Sequence, residues 1–360
     1  MKKKIPSKSS NYAVLIEDNA YYVDKTTFIG ELETLSDKYL FFLRPRRFGK
    51  SLHLSMLEHY YGIQHKNRFE ELFGEYHIGK PGNSTPLRNS YYILSLNFSA
   101  IETDRIGNIV PTFINSLMNG INQFRLDYGV ITKEEVDEIA SEDTATGVFH
   151  LFFAKLKQRG FVGKIYLLID EYDHFTNELF AFNTPHFKEI VSRNGWVRKF
   201  YEAIKIYMGE GLIDRFFATG VTPVTLDSMT SGFNVAANIS LEPEFNEMAG
   251  FTEEELKNLI IDTIDNDSRF DVDNLIADMR AWYNGSKFSR RATKRLYNPQ
   301  MVITFLSKFS KSYEYPEEML DPNITSDYKK IANILEPLPK EIKDDITEDV
   351  LNKEQIAEGL

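Results

Sequence analysis

From residue 39 onward the chain alternates short apolar runs with longer stretches in which apolar side chains recur every three or four positions. Tyr39–Leu43 is apolar throughout and short, which predicts a buried strand. Ser51–Tyr61 places Leu54, Leu57 and Tyr61 on one face and predicts a helix. Tyr91–Phe98, Lys164–Ile169 and Ile213–Ala218 read as further strands, and Asn238–Leu241 as a fifth. Between them, Phe113, Leu117, Ile121 and Phe124 mark a long helix, and Gly147–Gln158 and Val197–Met208 two more. Strands alternating with crossover helices predict an α/β fold with a mainly parallel sheet flanked by helices.

Near Gly250 the texture changes to helices alone. Thr252 with Glu255 forms a capping box and opens one helix. Phe270–Tyr283 is a second, stopped by Asn284-Gly285. Asn298-Pro299 is a cap followed by proline at the first helical position, opening a third through Phe309. The expected organisation is a core over 1–250, a helical unit over 251–312 and an acidic C-terminal segment over 313–360. That last segment carries Pro316, Pro322, Pro337 and Pro339 and is expected to be irregular with short helices.

The first strand and its helix are joined by Arg44-Pro45-Arg46-Arg47-Phe48-Gly49-Lys50-Ser51. A strand, a loop ending in Gly-Lys-Ser and a helix form the context of a Walker A phosphate-binding loop. Gly49 lets the backbone approach phosphate without a Cβ in the way. Loop amides and the helix N-terminus offer donors and a positive dipole end. In this reading Lys50 bridges the β- and γ-phosphates and Ser51 ligates Mg²⁺. Arg46, Arg47, Phe48, Gly49, Lys50, Ser51 and Leu52 are therefore the candidate nucleotide contacts, with ATP and Mg²⁺ the expected ligands. Arg44 stands where the pattern has its first glycine. The arginines at 44, 46 and 47 either reach a γ-phosphate or a neighbour's site, or pair with carboxylates such as Asp173.

Ile165–Ile169 is an apolar strand that ends in Asp170 and Glu171, the Walker B pattern. Asp170 is expected to hold Mg²⁺ through its water shell, and Glu171 to polarise the attacking water as general base. Asp173 either assists there or caps the next segment. Thr219, ending the strand Arg215–Ala218 before Gly220, fits a sensor of the γ-phosphate, or is an ordinary polar strand end.

These strings together resemble the bacterial AAA-ATPase-like family. The resemblance rests on Tyr22-Val23-Asp24-Lys25-Thr26, Arg44–Ser51, Ile169–Asp173 and Thr219-Gly220-Val221. It extends through Ser231-Gly232-Phe233-Asn234, Gly250-Phe251-Thr252, Trp282-Tyr283-Asn284-Gly285 and Tyr297-Asn298-Pro299, covering about Ile5 to Phe309. Arg44 is then the family's own usage. The resemblance implies a P-loop NTPase core related to STAND-type and AAA+ ATPases, with the C-terminal helices as a lid. It also implies that the segment before the first strand crosses the adenine, with Tyr22 stacking on the base and a place there for Asp24 and Lys25, the alternative being that this segment docks for packing alone. Many relatives continue into a PD-(D/E)XK-type nuclease domain, and no such arrangement follows the lid here.

Composition narrows the partners. The chain carries a net charge of −11, and Glu314–Leu360, with 13 acidic and 5 basic residues, holds −8 of it. That balance argues against nucleic-acid binding by the whole surface, and only the basic run Lys287, Arg290, Arg291, Lys294 and Arg295 speaks for it. The alternative for that run is a solvated connection or a nucleotide sensor. The absence of cysteine excludes disulfides and thiolate metal sites, and the seven histidines show no metal-ligand spacing. With no apolar leader or membrane-length run, the expectation is a cytoplasmic protein without a membrane partner. ATP or ADP is the expected small-molecule partner, with a homo-oligomer or another protein as the macromolecular one. The reading that emerges is an ATPase coupling hydrolysis to a core–lid rearrangement. Its alternatives are a nucleotide-gated, STAND-like interaction module with little turnover, and the ATPase part of a nucleic-acid-processing system.

Overall fold

The computed structural model describes residues 2–317 and 319, apart from 193 and 230–232. Ser231 and Gly232, and nearly all of the acidic segment expected over 313–360, lie outside the described residues.

Five strands form one parallel sheet: β1 (Tyr39–Leu43), β2 (Tyr92–Asn97), β3 (Ile165–Asp170), β4 (Ile213–Gly220) and β5 (Ala237–Asn238). Their order is β2-β3-β4-β1-β5. The strands read as continuous apolar runs because both faces of the sheet are covered. Phe41, Leu94, Leu167, Ile169 and Phe216 face a core closed by the helices Ile106–Tyr128, Ala145–Gln158 and Trp196–Gly209. Leu40, Phe42, Ile93, Leu168 and Phe217 face the opposite core, under the helix Lys50–Tyr61. The fifth strand is shorter than its sequence suggests, and Leu241 is 71% exposed just beyond it.

Several short helices escape the periodicity argument, among them Tyr12–Glu17, Thr27–Thr34, Lys133–Ile139, His174–Phe182 and Thr184–Val191. Each spans fewer than three turns, too few for an apolar face to repeat. One of them, Lys133–Ile139, does carry a readable capping box in Thr132 and Glu135.

Beyond the sheet, the helices Glu253–Thr263, Val272–Tyr283 and Pro299–Ser312 enclose a third core around Leu256, Met279, Val302 and Phe305. The capping box at Thr252 and Glu255 is present, and Asn298 caps the last helix. A small antiparallel hairpin, β6 (Asn284–Ser286) with β7 (Leu296–Tyr297), joins the second and third of these helices. Val23 is buried in this third core, with Ile5 and Tyr21 packed against it, so the N-terminal segment belongs to both units. Lys25, only 7% exposed, extends Nζ to 2.6 Å from Glu255 Oε1. Among the described residues no helix is long and apolar enough to cross a membrane.

Glu255 thus does two jobs, accepting the Thr252 amide with Oε2 and neutralising a buried ammonium with Oε1. Glu255→Gln keeps a capping side chain but removes the charge facing Lys25. It is expected to cost ~2–3 kcal/mol in urea unfolding, below the ~3–5 of a fully buried pair because Glu255 keeps about a quarter of its exposure. Thr252→Ala, which loses the cap, is expected to cost about 1 kcal/mol. The reverse ranking would contradict the second role.

Candidate phosphate-binding site

In the register of the sheet, Leu43 of β1 lies beside Gly220 of β4, and Ala218 of β4 beside Ile169 of β3. The loop leaving β1 and the acids leaving β3 therefore emerge at one edge of the sheet, with the end of β4 between them. That edge lies where the strand order reverses about β1, which is where open α/β sheets leave a ligand crevice.

The loop is bent by two residues of positive φ, Arg47 (70°) and Gly49 (88°). Gly49 is the N-cap of the helix Lys50–Tyr61 and makes no side-chain cap, and among the described residues no other side chain caps the amides of the first turn. An uncapped helix start facing a cavity is a ready anion site. Lys50 is 3% exposed, and its Nζ donates to the carbonyls of Arg44 (3.0 Å) and Pro45 (3.2 Å) and lies 3.8 Å from Glu171 Oε1. Together with Arg47, Phe48, Gly49, Ser51 and Leu52, these two side chains line a cavity of about 290 Å³. Its other walls are Pro6–Ser10 and Tyr21–Val23 from the N-terminal segment, Met248–Phe251, and Pro299, Gln300 and Ile303 from the last helix. Lys25, from the Tyr22–Thr26 string, lines the cavity too, and so does the buried His53, which had no sequence signal and whose ring is pushed down to about 3 by burial and by Lys25.

Each acid has a distinct environment. Asp170 Oδ1 accepts the Thr219 hydroxyl at 2.6 Å, and among the described residues its Oδ2 is approached only by the Asn97 amide at 3.4 Å. Thr219 is fully buried, so its hydroxyl fixes the Asp170 carboxylate. Asn97 was not singled out from the sequence; it sits opposite Asp170 in the β2–β3 register. Glu171 adopts a left-handed conformation (φ 54°). Its buried Oε2 has no hydrogen-bond partner among the described residues. Burial raises its carboxyl above the ordinary range, and Asp170 and Asp173 add to this against the opposing pull of Lys50. Asp173 is fully buried and accepts the amides of Val221 and Thr222 and the side-chain amide of Asn177. It holds the turn after β4. Gly220 is required there, because a Cβ would overlap Asp173 and Tyr172.

The arginines separate. Arg44 is 1% exposed and turned away from the cavity. Its guanidinium lies between the rings of Phe42 (4.3 Å) and Phe288 (4.1 Å) and donates to the carbonyls of Leu43, Ser240 and Phe245. Burial lowers it to about 9. It joins the root of the loop to the strand end at Ser240 and to the hairpin region, and it does not pair with Asp173. Arg46 Nη2 is 3.3 Å from His174 Nδ1, and the other ring nitrogen of His174 is 3.8 Å from Glu178. Tyr22 lines the cavity, but its ring stands edge-on to Tyr12 and Tyr76 and its hydroxyl meets Met56 Sδ. Asp24 is outside the cavity lining; it accepts from Thr26 and from the His77 amide and staples the N-terminal segment.

The donors suit Mg²⁺ in the form in which it accompanies a nucleotide. Asp170 retains acceptor capacity on Oδ2, and Ser51 lies in the first turn of the facing helix. Such an ion takes one or two protein ligands and fills the rest with phosphate and water. Among the described residues no group of three His, Asp or Glu side chains forms an all-protein cage.

A family model described as "Predicted AAA-ATPase" matches residues 6–230. An "Uncharacterized protein in vnfD 5'region" from Azotobacter chroococcum mcd 1 is 25% identical over 310 residues, which cover 85% of this chain and 52% of that protein. The chain thus spans about half the length of this curated relative. No solved structure matches.

Arg44→Lys keeps the charge but loses the fork that serves three carbonyls and the plane that fits between two rings. With buried carbonyls left unpaired, the expected loss in urea unfolding is ~1–3 kcal/mol. An unchanged midpoint would show that Arg44 does not join the loop to its surroundings.

Proposed function

The chain belongs to the predicted AAA-ATPase family, and on that premise we propose that it binds ATP with Mg²⁺ and hydrolyses it, the helices after residue 250 acting as a lid. The observation that carries this reading is the meeting of Lys50 and Glu171, 3.8 Å apart, at a cavity walled by an uncapped helix N-terminus. Lys50 now spends its donors on the loop's own carbonyls, and a β,γ-phosphate offers stronger, charged acceptors to replace them. The amides around Gly49 cradle the phosphates, with Arg47, Phe48 and Leu52 shaping the turn. Ser51 and Asp170 are the residues that would hold Mg²⁺. When bound, the ion neutralises charge on the β- and γ-phosphate oxygens.

Glu171 accepts a proton from the water that attacks the γ-phosphorus, giving ADP and inorganic phosphate. Its Oε2 is the buried acceptor without a partner, and a raised pKa brings it nearer to a useful base. Thr219 holds Asp170 in place, and through that carboxylate would respond to a γ-phosphate. The base occupies the space between the N-terminal segment and the helix Pro299–Ser312, where Tyr22 contributes wall rather than a free stacking face. Because that space is walled by two chain segments outside the loop, a nucleotide-gated module that retains its ligand and turns over slowly is the second reading.

Lys50→Ala is expected to weaken ATP binding at least tenfold by calorimetry, a loss of about 1.4 kcal/mol or more. Glu171→Gln is expected to retain binding and lose ~10²–10⁴ in turnover. Unchanged turnover in Glu171→Gln would remove the base assignment. Undetectable turnover in the wild type with nucleotide retained through gel filtration would select the second reading.

The pH profile gives an independent check. The base must be ionised, and burial raises its pKa, so turnover rises with pH through a value above the usual carboxylate range. An acid limb at or below that range, lost in no variant of Glu171, would contradict the role.

A further inference from the structure

The hairpin between the second and third C-terminal helices carries cations without carboxylate partners among the described residues, in contrast to the two helices that precede it. From Glu253 to Asn284, each arginine and lysine has a carboxylate partner: Lys257 with Asp273, Arg269 with Asp267, Arg280 with Glu253. Within the connection from β6 to β7, Lys294 pairs with Glu247, and Arg295 donates to the Gly285 carbonyl beside a groove that also holds Glu253 and Glu254. Lys287, Arg290 and Arg291 are exposed, and none has an ion-pair partner among the described residues. On a protein of net charge −11, three adjacent unneutralised cations are a local reversal of sign.

This loop is anchored rather than loose. Phe288 stands edge-on to Phe48 of the phosphate loop, 5.2 Å between centroids, and stacks on Arg44. Its amide donates to Asn246 Oδ1 at 3.0 Å. Ser289 and Ala292 are buried. Phe288, Ser289 and Ala292 are packed, while Lys287, Arg290 and Arg291 stay exposed on the same anchored loop.

We infer that residues 287–291 form a docking surface for the phosphate backbone of a nucleic acid. Protein partners are captured through apolar and aromatic anchors with charge at the rim. None of the exposed large apolar side chains lies between residues 284 and 298. A surface of lysine and arginine without such anchors matches a repeating phosphate charge, read without sequence preference. This inference does not depend on ATP hydrolysis.

The test is fluorescence anisotropy of the full chain with a labelled single strand and a labelled duplex of equal length, titrated from roughly 50 to 200 mM salt. The wild type is expected to bind at low salt and weaken steeply as salt rises. The triple variant Lys287→Ala, Arg290→Ala, Arg291→Ala is expected to bind at least tenfold more weakly, with a log–log salt slope shallower by about 2–3. All three side chains are exposed, so circular dichroism should show the variant folded. Lys50→Ala is expected to keep oligonucleotide binding, which separates this inference from the ATP reading. No binding by the wild type at low salt, an unchanged triple variant, or equal competition by polyglutamate, which would indicate an acidic protein partner, would each overturn it.

Discussion

β4 pairs in parallel with β1 on one side and β3 on the other, and the end of this one strand sets the distance between the phosphate loop and the two acids. Its last residues serve both neighbours. Thr219 donates to Asp170, the Gly220 carbonyl accepts the Arg44 amide, and the turn beyond is held by Asp173. A bulkier residue at 220 would push Tyr172 and Asp173 away and spread the crevice. The hydrolysis proposed for this crevice would tolerate little misplacement of these groups. The sheet supplies the needed rigidity because its central strands are buried on both faces by aromatic-rich cores.

The loop itself depends on a second constraint, at its root. Arg44 in place of a glycine gives a buried cation with no carboxylate partner among the described residues, held by three carbonyls and two aromatic faces. Its partners lie at Ser240, Phe245 and Phe288, so the β1 exit is locked to the chain leaving β5 and to the C-terminal hairpin. Phe48 adds an apolar contact to the same hairpin, and its carbonyl accepts the Gly250 amide. Phosphate loop and helical unit are thereby joined through packed side chains. This is the physical basis for proposing that a nucleotide on the loop is felt by the lid.

Much of this was legible in the sequence. The first four strands could be read because double burial makes them continuous apolar runs, and their termini carry the residues of the candidate site: Gly49-Lys50-Ser51 after one, Asp170-Glu171 after another. The capping signals at Thr252 and Asn298 located two helix starts from short-range hydrogen bonding alone. What escaped depends on distant partners. Arg44 could not be told from Arg46 or Arg47 as a phosphate contact, since its acceptors lie some two hundred residues away. Asp173, open between assisting and capping, proves to accept backbone amides from the β4 exit. Tyr22 and Asp24 sit in the segment expected over the base, yet the ring is enclosed by Tyr12 and Tyr76, and the carboxylate turns to Thr26 and His77. The β6–β7 hairpin is built from strands of three and two residues, too short for an alternating pattern.

The central claim is that nucleotide phosphates seat on the loop at residues 47–52, beneath walls supplied by the N-terminal segment and the last helix. Hydrogen–deuterium exchange with and without Mg²⁺ and a slowly hydrolysed ATP analogue tests it most directly. The account predicts concerted slowing at residues 6–10, 21–25, 47–52 and 299–303, lost in Lys50→Ala. Exchange at 47–52 that is unchanged by the nucleotide, whatever happens elsewhere, would contradict it.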